Sequence, residues 1–286
     1  MTCPSMNLGA CEDFMNQFLD KQMLSVNKYC SLKNSLLLSL IIPSYNERAN
    51  LQDLIYRIMA TLAPINFEVT IVDDNSPDGT GEMVDALKET YPNLSLLKRS
   101  GKFGLSSAII DGFRNSAPHS QILAVMDADL QHPPELLLKM YEEIVNGNDL
   151  VVASRYVPGG SAAGMTAYRQ LISIVATLIA RTTFPKKKLV ADSMSGFFML
   201  RREILFGIEL NPIGYKILLE ILVKGSQRKI TEIPYTFKDR INGKSNLNMR
   251  EIYNYLLHIQ RLKKERSLAQ NGIFKLPRSL KCQGVK

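Results

Sequence analysis

Between about Leu36 and Lys264, short runs of Leu, Ile and Val alternate with segments whose apolar residues recur every three to four positions. Residues 37–43 read as a buried strand, and residues 50–62 as a helix with Leu51, Leu54, Ile55, Ile58 and Met59 on one face. The alternation continues with a strand at 67–72 and a helix through Met83, Val84 and Leu87. A strand at 94–97 precedes a helix at 105–113, a strand at 121–126 precedes a helix at 134–145, and a fifth strand covers 150–153. Nearly continuous apolar strands separated by helices predict an α/β fold: a mostly parallel central sheet with helices on both faces. Such sheets bind ligands beyond the carboxyl ends of their strands.

Those ends are unusually polar. The first strand runs into Pro43-Ser44-Tyr45-Asn46-Glu47 and the second into Asp73-Asp74-Asn75-Ser76-Pro77-Asp78-Gly79-Thr80. The fourth ends in Asp127-Ala128-Asp129-Leu130-Gln131 and the fifth in Ser154-Arg155-Tyr156. Any one cluster is an ordinary turn composition; four at successive strand ends point to one crevice. If residues 127–131 are extended, Asp127, Asp129 and Gln131 face the same way. Oxygen ligands without His or Cys suit Mg²⁺ or Mn²⁺, which completes its shell with water and phosphate oxygens. The competing reading is that Asp129 caps the helix that follows. Asp73 and Asp74 are candidates for a ribose or base edge. G-x-G-x-x-G and P-loop patterns are missing after every strand. Phosphates would therefore rest on metal and on arginines, with Arg155, Arg169 and Arg240 as candidates.

Charge refines the ends of the chain. Of a net +8, +7 falls within residues 250–286, so the basicity belongs to a tail suited to an anionic surface, membrane or nucleic acid. Residues 1–35 read as an N-terminal extension, without the basic start of a secretory signal. Four cysteines near the two ends form no disulfide framework or zinc pattern. No stretch reaches the ~18–20 apolar residues of a membrane span. The stripe Leu171, Ile174, Val175, Leu178, widened by Ile172 and Ile179, is either a core face or an interfacial face flanked by Arg169, Arg181 and Lys186-Lys187-Lys188. Residues 248–286 read as a second basic amphipathic helix, with Ile252, Tyr255, Leu256, Ile259 and Leu262, followed by the tail.

Taken together, these motifs resemble the family 2 glycosyltransferases of the GT-A (nucleotide-diphospho-sugar transferase) fold, and within them the dolichol-phosphate and polyprenyl-phosphate glycosyltransferases. Asp192-x-x-Ser195-Gly196-Phe197, Pro212-x-Gly214-Tyr215-Lys216 and Glu232-x-Pro234-Tyr235-x-Phe237-x-Asp239-Arg240 add to the likeness. The resemblance implies a GT-A domain over 36–247. It also implies that Pro43, Tyr45, Glu47, Val72 and Asp74 hold the nucleoside, and that Asp127, Ala128, Asp129 and Gln131 gather around metal and diphosphate. Arg155, Arg169, Arg240 and Ser173 would manage donor and acceptor phosphates, making Asp129, Arg155, Arg169 and Arg240 the residues closest to the chemistry. Where the family pattern has a lysine this chain has Asn246, and Lys244 is expected to take its place. The implied reaction is inverting transfer of a hexose, foremost mannose from GDP-mannose, to dolichyl or polyprenyl phosphate. A UDP-hexose donor, or a weakly active binding subunit, is the alternative. Implied surroundings are the cytoplasmic face of a membrane, an anionic surface bound peripherally and small membrane-anchoring subunits, with no nucleic acid.

Overall fold

The computed structural model describes residues 36–185, 187, 189–238 and 249–270. The N-terminal extension, Arg240, Lys244, Asn246 and the tail after 270 lie outside the described residues.

The predicted strands and helices of the first half are present with ends shifted by a residue or two. β1 (Leu38–Ser44), β2 (Phe67–Asp73), β3 (Leu94–Lys98), β4 (Ile122–Val125) and β5 (Leu150–Ser154) alternate with α1 (Arg48–Leu62), α2 (Thr80–Lys88), α3 (Leu105–Asn115) and α4 (Leu136–Val145). Beyond them come α5 (Ala167–Thr183), β6 (Phe198–Arg201), a 3₁₀ turn (Arg202–Leu205), α6 (Ile217–Lys224), β7 (Ile230–Pro234) and α7 (Met249–Gln270). The seven strands lie in the order β3-β2-β1-β4-β6-β5-β7. All pairings are parallel except those of β6, which runs against both β4 and β5.

Strand alternation sorts the core into two layers. Leu38, Leu40 and Ile42 point to one face, where Leu54, Ile58, Val84, Met140 and Tyr141 of α1, α2 and α4 cover them. Ile41 and Val125 point to the other, under Ile109 and Phe113 of α3 and Ile217, Leu218 and Ile221 of α6. Each fully buried Leu or Ile side chain contributes roughly 1.5–3 kcal/mol relative to exposure. A third cluster joins α5, α6 and α7 through Ala176, Ala180, Leu219, Val223, Tyr255, Ile259 and Leu262. The Tyr255 hydroxyl donates to the Ala176 carbonyl at 2.5 Å.

This order positions the site. The chain leaves β1 outward through β2 and β3, then returns to β4 on the other side of β1, creating a switch point between β1 and β4. Residues 43–47 and 127–131 leave the sheet side by side there. Because β6 is antiparallel, its beginning lies at the carboxyl ends of β4 and β5 and brings residues 192–197 to the same edge. The fourth and fifth strands are therefore not neighbours, as a simple succession of parallel strands implies; β6 separates them.

Candidate active site

A cleft of about 520 Å³ opens along this edge. Pro43, Tyr45, Glu47, Asp74, Asp127, Asp129, Gln131, Arg155, Arg169 and Ser173 all line it, drawn from four strand ends and α5. Val72 and Ala128 do not: their side chains are buried in opposite core layers. Asp73 is also turned away, fully buried with its carboxylate accepting from the Ser76 amide and hydroxyl, so it shapes the loop.

Asp74 is held at the end of β2. One oxygen accepts from Arg99 at 2.5 Å and the other from the Gly104 amide at 2.9 Å. Arg99 in turn meets Asp111 at 3.2 Å and lies against the Phe103 ring. Lys102 Nζ sits 3.7 Å from the centre of the Tyr45 ring, a cation–π contact at the mouth of the cleft.

The acidic segment after β4 is a bend, not an extension of the strand. Leu130 takes φ of 61°, a left-handed conformation rarely adopted by a branched aliphatic residue, and Asp129 Oδ1 accepts from the Gln131 amide at 3.1 Å. The three side chains thus reach the cleft through a turn rather than through strand alternation. Asp129 does not cap the next helix, whose N-cap is Glu135. Gln131 Nε2 donates to the Lys238 carbonyl at 2.9 Å, tying the bend to the segment after β7. His132 is buried, stacked on Phe197 with Tyr235 and Phe237 at its edges, and its Nδ1 accepts from the Asp127 amide at 3.2 Å. Gly196 faces Asp127 so closely that a Cβ there would lie 2.9 Å from Oδ2.

Arg155 is anchored rather than mobile. Nε and Nη2 both bind the fully buried Asp192 at 2.7 Å, and Nη1 contacts the Met165 sulfur at 3.1 Å. Burial opposes its charge, yet the hydrogen bonds and charge of Asp192 hold the guanidinium above its ordinary pKa. Asp192 is itself set by Glu232, which accepts from the amides of Ala191 and Asp192 at 2.7 and 3.1 Å. Burial pushes the Tyr235 phenol up.

Two features test what the cleft accommodates. Ser44 Oγ, Ser173 Oγ and Tyr235 Oη are buried in its wall with no hydrogen-bond partner among the described residues. Buried polar atoms of this kind call for a polar ligand or water. Asp127 and Asp129 supply oxygen donors, and among the described residues no group of three or more His, Cys, Asp or Glu is placed to hold a metal ion. Two carboxylates with an amide side chain fit a hard cation that takes its other ligands from phosphate and water; a closed zinc site needs more.

The model of the family described as "Glycosyl transferase family 2" matches residues 39–206, more than half of the chain. The chain belongs to this family. The dolichol-phosphate mannosyltransferase of Pyrococcus furiosus is 48% identical over 226 residues, which are 79% of this chain but only 63% of that protein. The dolichol-phosphate mannosyltransferase of Saccharomyces cerevisiae is 37% identical over 78% of this chain and 86% of its own length. Among solved structures, mannosyl-3-phosphoglycerate synthase of Rubrobacter xylanophilus superposes with a TM-score of 0.55 at 19% identity, covering 88% of this chain and 79% of its own. Glucosyl-3-phosphoglycerate synthase of Mycobacterium tuberculosis, solved with Mn²⁺, UDP-glucose and phosphoglyceric acid, gives 0.59 at 17% identity, covering 89% and 85%. The fold is that of the GT-A glycosyltransferases.

The structure brings further side chains to the cleft that the sequence pattern left without a role. Lys216, half-buried in the wall, donates to the Met194 carbonyl at 3.4 Å. Burial, then the charge of Arg155, lowers its pKa, against attraction from Asp127, Asp192 and Glu251. Lys102 and Tyr235 are two more. The Pro212-x-Gly214-Tyr215-Lys216 motif was the available signal for Lys216, but nothing in its spacing locates it beside Asp127.

The cleft continues along α5 and α7, lined by Leu171, Ile172, Val175, Ile179, Ile252 and Leu256. The stripe of α5 is largely exposed at the rim of this groove and beyond it: Leu171 and Leu178 at 59%, Ile174 at 52%, Val175 at 44%, with Tyr168 at 62%. The face α5 buries is made of Ser173, Ala176, Thr177 and Ala180. No helix among the described residues is long and apolar enough to cross a membrane.

Proposed function

We propose that this chain transfers mannose from a guanosine diphosphate sugar to a polyprenyl phosphate of the dolichyl type, inverting the anomeric centre. The observation that carries the reading is the continuity of one cavity, from acids and cations at the strand ends to an apolar groove between α5 and α7. Such a cavity suits an anionic sugar nucleotide meeting an anionic head on an apolar chain. Mannose and dolichol phosphate are the substrates in the names of relatives that cover most of the domain.

In this reading Pro43, Tyr45, Glu47 and Asp74, with the main chain at Val72, take the nucleoside. Asp127, Asp129 and Gln131, with the main chain at Ala128, hold Mg²⁺ or Mn²⁺, which when bound withdraws charge from the diphosphate. Arg155 and Lys216 face the diphosphate from the other wall. Arg169 and Ser173, at the start of α5, take the acceptor phosphate, together with Arg240 and Lys244 as the sequence suggests. A phosphate monoester has a second pKa of about 6 and is largely dianionic at neutral pH. Its oxygen attacks the anomeric carbon, the bond from that carbon to the diphosphate oxygen breaks, and the diphosphate leaves with the electron pair. No proton moves, so no protein base is required, in keeping with His132 being committed to the Asp127 amide. The exposed stripe of α5 would rest in the surface of an anionic membrane and deliver the lipid head.

The test is a donor screen with purified protein, Mn²⁺ or Mg²⁺ and a short polyprenyl phosphate, reading lipid-linked sugar. GDP-mannose should be the preferred donor and EDTA should stop the reaction. Transfer from UDP-hexoses alone would replace the donor, and no transfer from any sugar nucleotide would overturn the reading.

A further inference from the structure

The loop that carries Lys216 is fastened from behind by two buried ionisable residues that the proposed chemistry does not use. Glu220 on α6 and His258 on α7 are both fully buried. Glu220 Oε1 accepts from the Asn211 amide at 3.1 Å, and His258 Nδ1 accepts from the Ile213 amide at 3.3 Å. Directly after them the chain turns at Gly214 (φ 75°), where a Cβ would lie 3.1 Å from Glu251 Oε2 and 3.2 Å from Asn254 Cβ of α7. Two residues later it delivers Lys216 into the cleft.

The fastening is costly to build, which argues that it has a task. Glu220 gathers Lys224 at 2.6 Å and Arg261 at 3.1 Å, and Lys224 and Arg261 both meet Glu265. With Nδ1 accepting, the His258 proton sits on Nε2, 3.9 Å from Glu220 Oε2, and neither atom has a hydrogen-bond partner among the described residues. An apolar pair at the α6–α7 contact would avoid that desolvation. It would also leave the amides of Asn211 and Ile213 without acceptors.

We propose that Glu220 and His258 are positioning residues that fix loop 211–216 by its main chain, and so set the ammonium of Lys216 against the diphosphate end of the cleft. The identity of the ligand rests on the function proposed above; the fixing of the loop does not.

Asn and Gln at position 258 separate the two roles of the imidazole. The Asn side-chain oxygen falls where Nδ1 lies and can still accept from Ile213, whereas the Gln oxygen falls near Nε2 and cannot. Amide hydrogen exchange of peptides spanning 211–216 should be faster in His258→Gln and like wild type in His258→Asn. Calorimetric titration with GDP and Mn²⁺ should show Kd raised about tenfold in His258→Gln and within about twofold of wild type in His258→Asn. In a Lys216→Ala background, itself weakened by at least as much, His258→Gln should add nothing. His258→Phe, which keeps the ring volume, replaces His258→Gln if the latter lacks a cooperative melting transition.

Unchanged exchange in 211–216, or a loss that adds in full to that of Lys216→Ala, overturns the proposal. Wild-type protein that binds neither GDP nor UDP overturns the proposed function instead, and the exchange result still decides whether His258 fixes the loop.

Discussion

At the scale of single residues, the site is a set of side chains each held in place by a neighbour. Glu232 sets the turn of Asp192, Asp192 clamps Arg155, and His132 receives the amide of Asp127. Gly196 belongs to the same class, because only a missing Cβ leaves Asp127 where it is. Gly196→Ala should push that carboxylate aside and weaken Mn²⁺ binding about tenfold, measured by titration, with little change in melting temperature. Asp129→Ala should remove transfer with the fold retained by circular dichroism, matching wild type in chelator; full activity of the variant would remove Asp129 from the metal. The Asp-x-Asp pattern was legible in the sequence because carboxylates at a strand end are informative wherever they occur. Leu130 was not: its left-handed turn is imposed by the bend around it, against its own preference.

At the scale of elements, α5 and α7 carry the consequences. Periodicity identified the apolar stripe of α5 but left open whether core or solvent covers it. Packing turned Ser173, Ala176, Thr177 and Ala180 inward and left Leu171, Ile174, Val175 and Leu178 outside. Leu171→Asp with Ile174→Asp should therefore leave the melting temperature within about 2 °C, since exposed substitutions shift stability little. Flotation with anionic vesicles should fall severalfold. On α7, burial and then the charges of Arg261 and Lys224 push His258 down to about 4 from 6.5, with Glu220 facing its other nitrogen. The unfolded chain thus binds more protons than the folded one between those values. Stability falls as pH drops from about 6.5 through about 4, by at most about 3 kcal/mol from this group. His258→Asn should flatten that acid limb in denaturant titrations run across the window.

At the scale of the whole molecule, the sheet gathers the strand ends and the basic segment adds long-range charge. Residues 271–286 carry Lys275, Arg278, Lys281 and Lys286 and no acid. Their removal should weaken binding to anionic vesicles most at low salt, where screening is least, and leave transfer to a detergent-dispersed acceptor unchanged. The first five strands and four helices were legible because their signals are local: apolar runs, 3.6-residue periodicity and polar strand ends, each contained within about fifteen residues. The family followed from those ends, since the Asp-x-Asp and strand-end motifs are contiguous in sequence. β6 was not legible, because Phe198–Arg201 is four residues long and its place between β4 and β5 depends on pairing with strands about fifty and seventy-five residues away. That insertion is what brings Gly196 to Asp127 and Asp192 to Arg155. Likewise, the sequence pattern singled out Lys216 only as part of a motif and left Glu220 and His258 unremarked; only the packing of α7 on α6 brings the loop amides to their acceptors. The sequence by itself determined the elements and the chemistry available at their ends. Which ends meet, and which apolar face stays outside, was decided by the tertiary structure, because both depend on contacts between residues far apart in the chain.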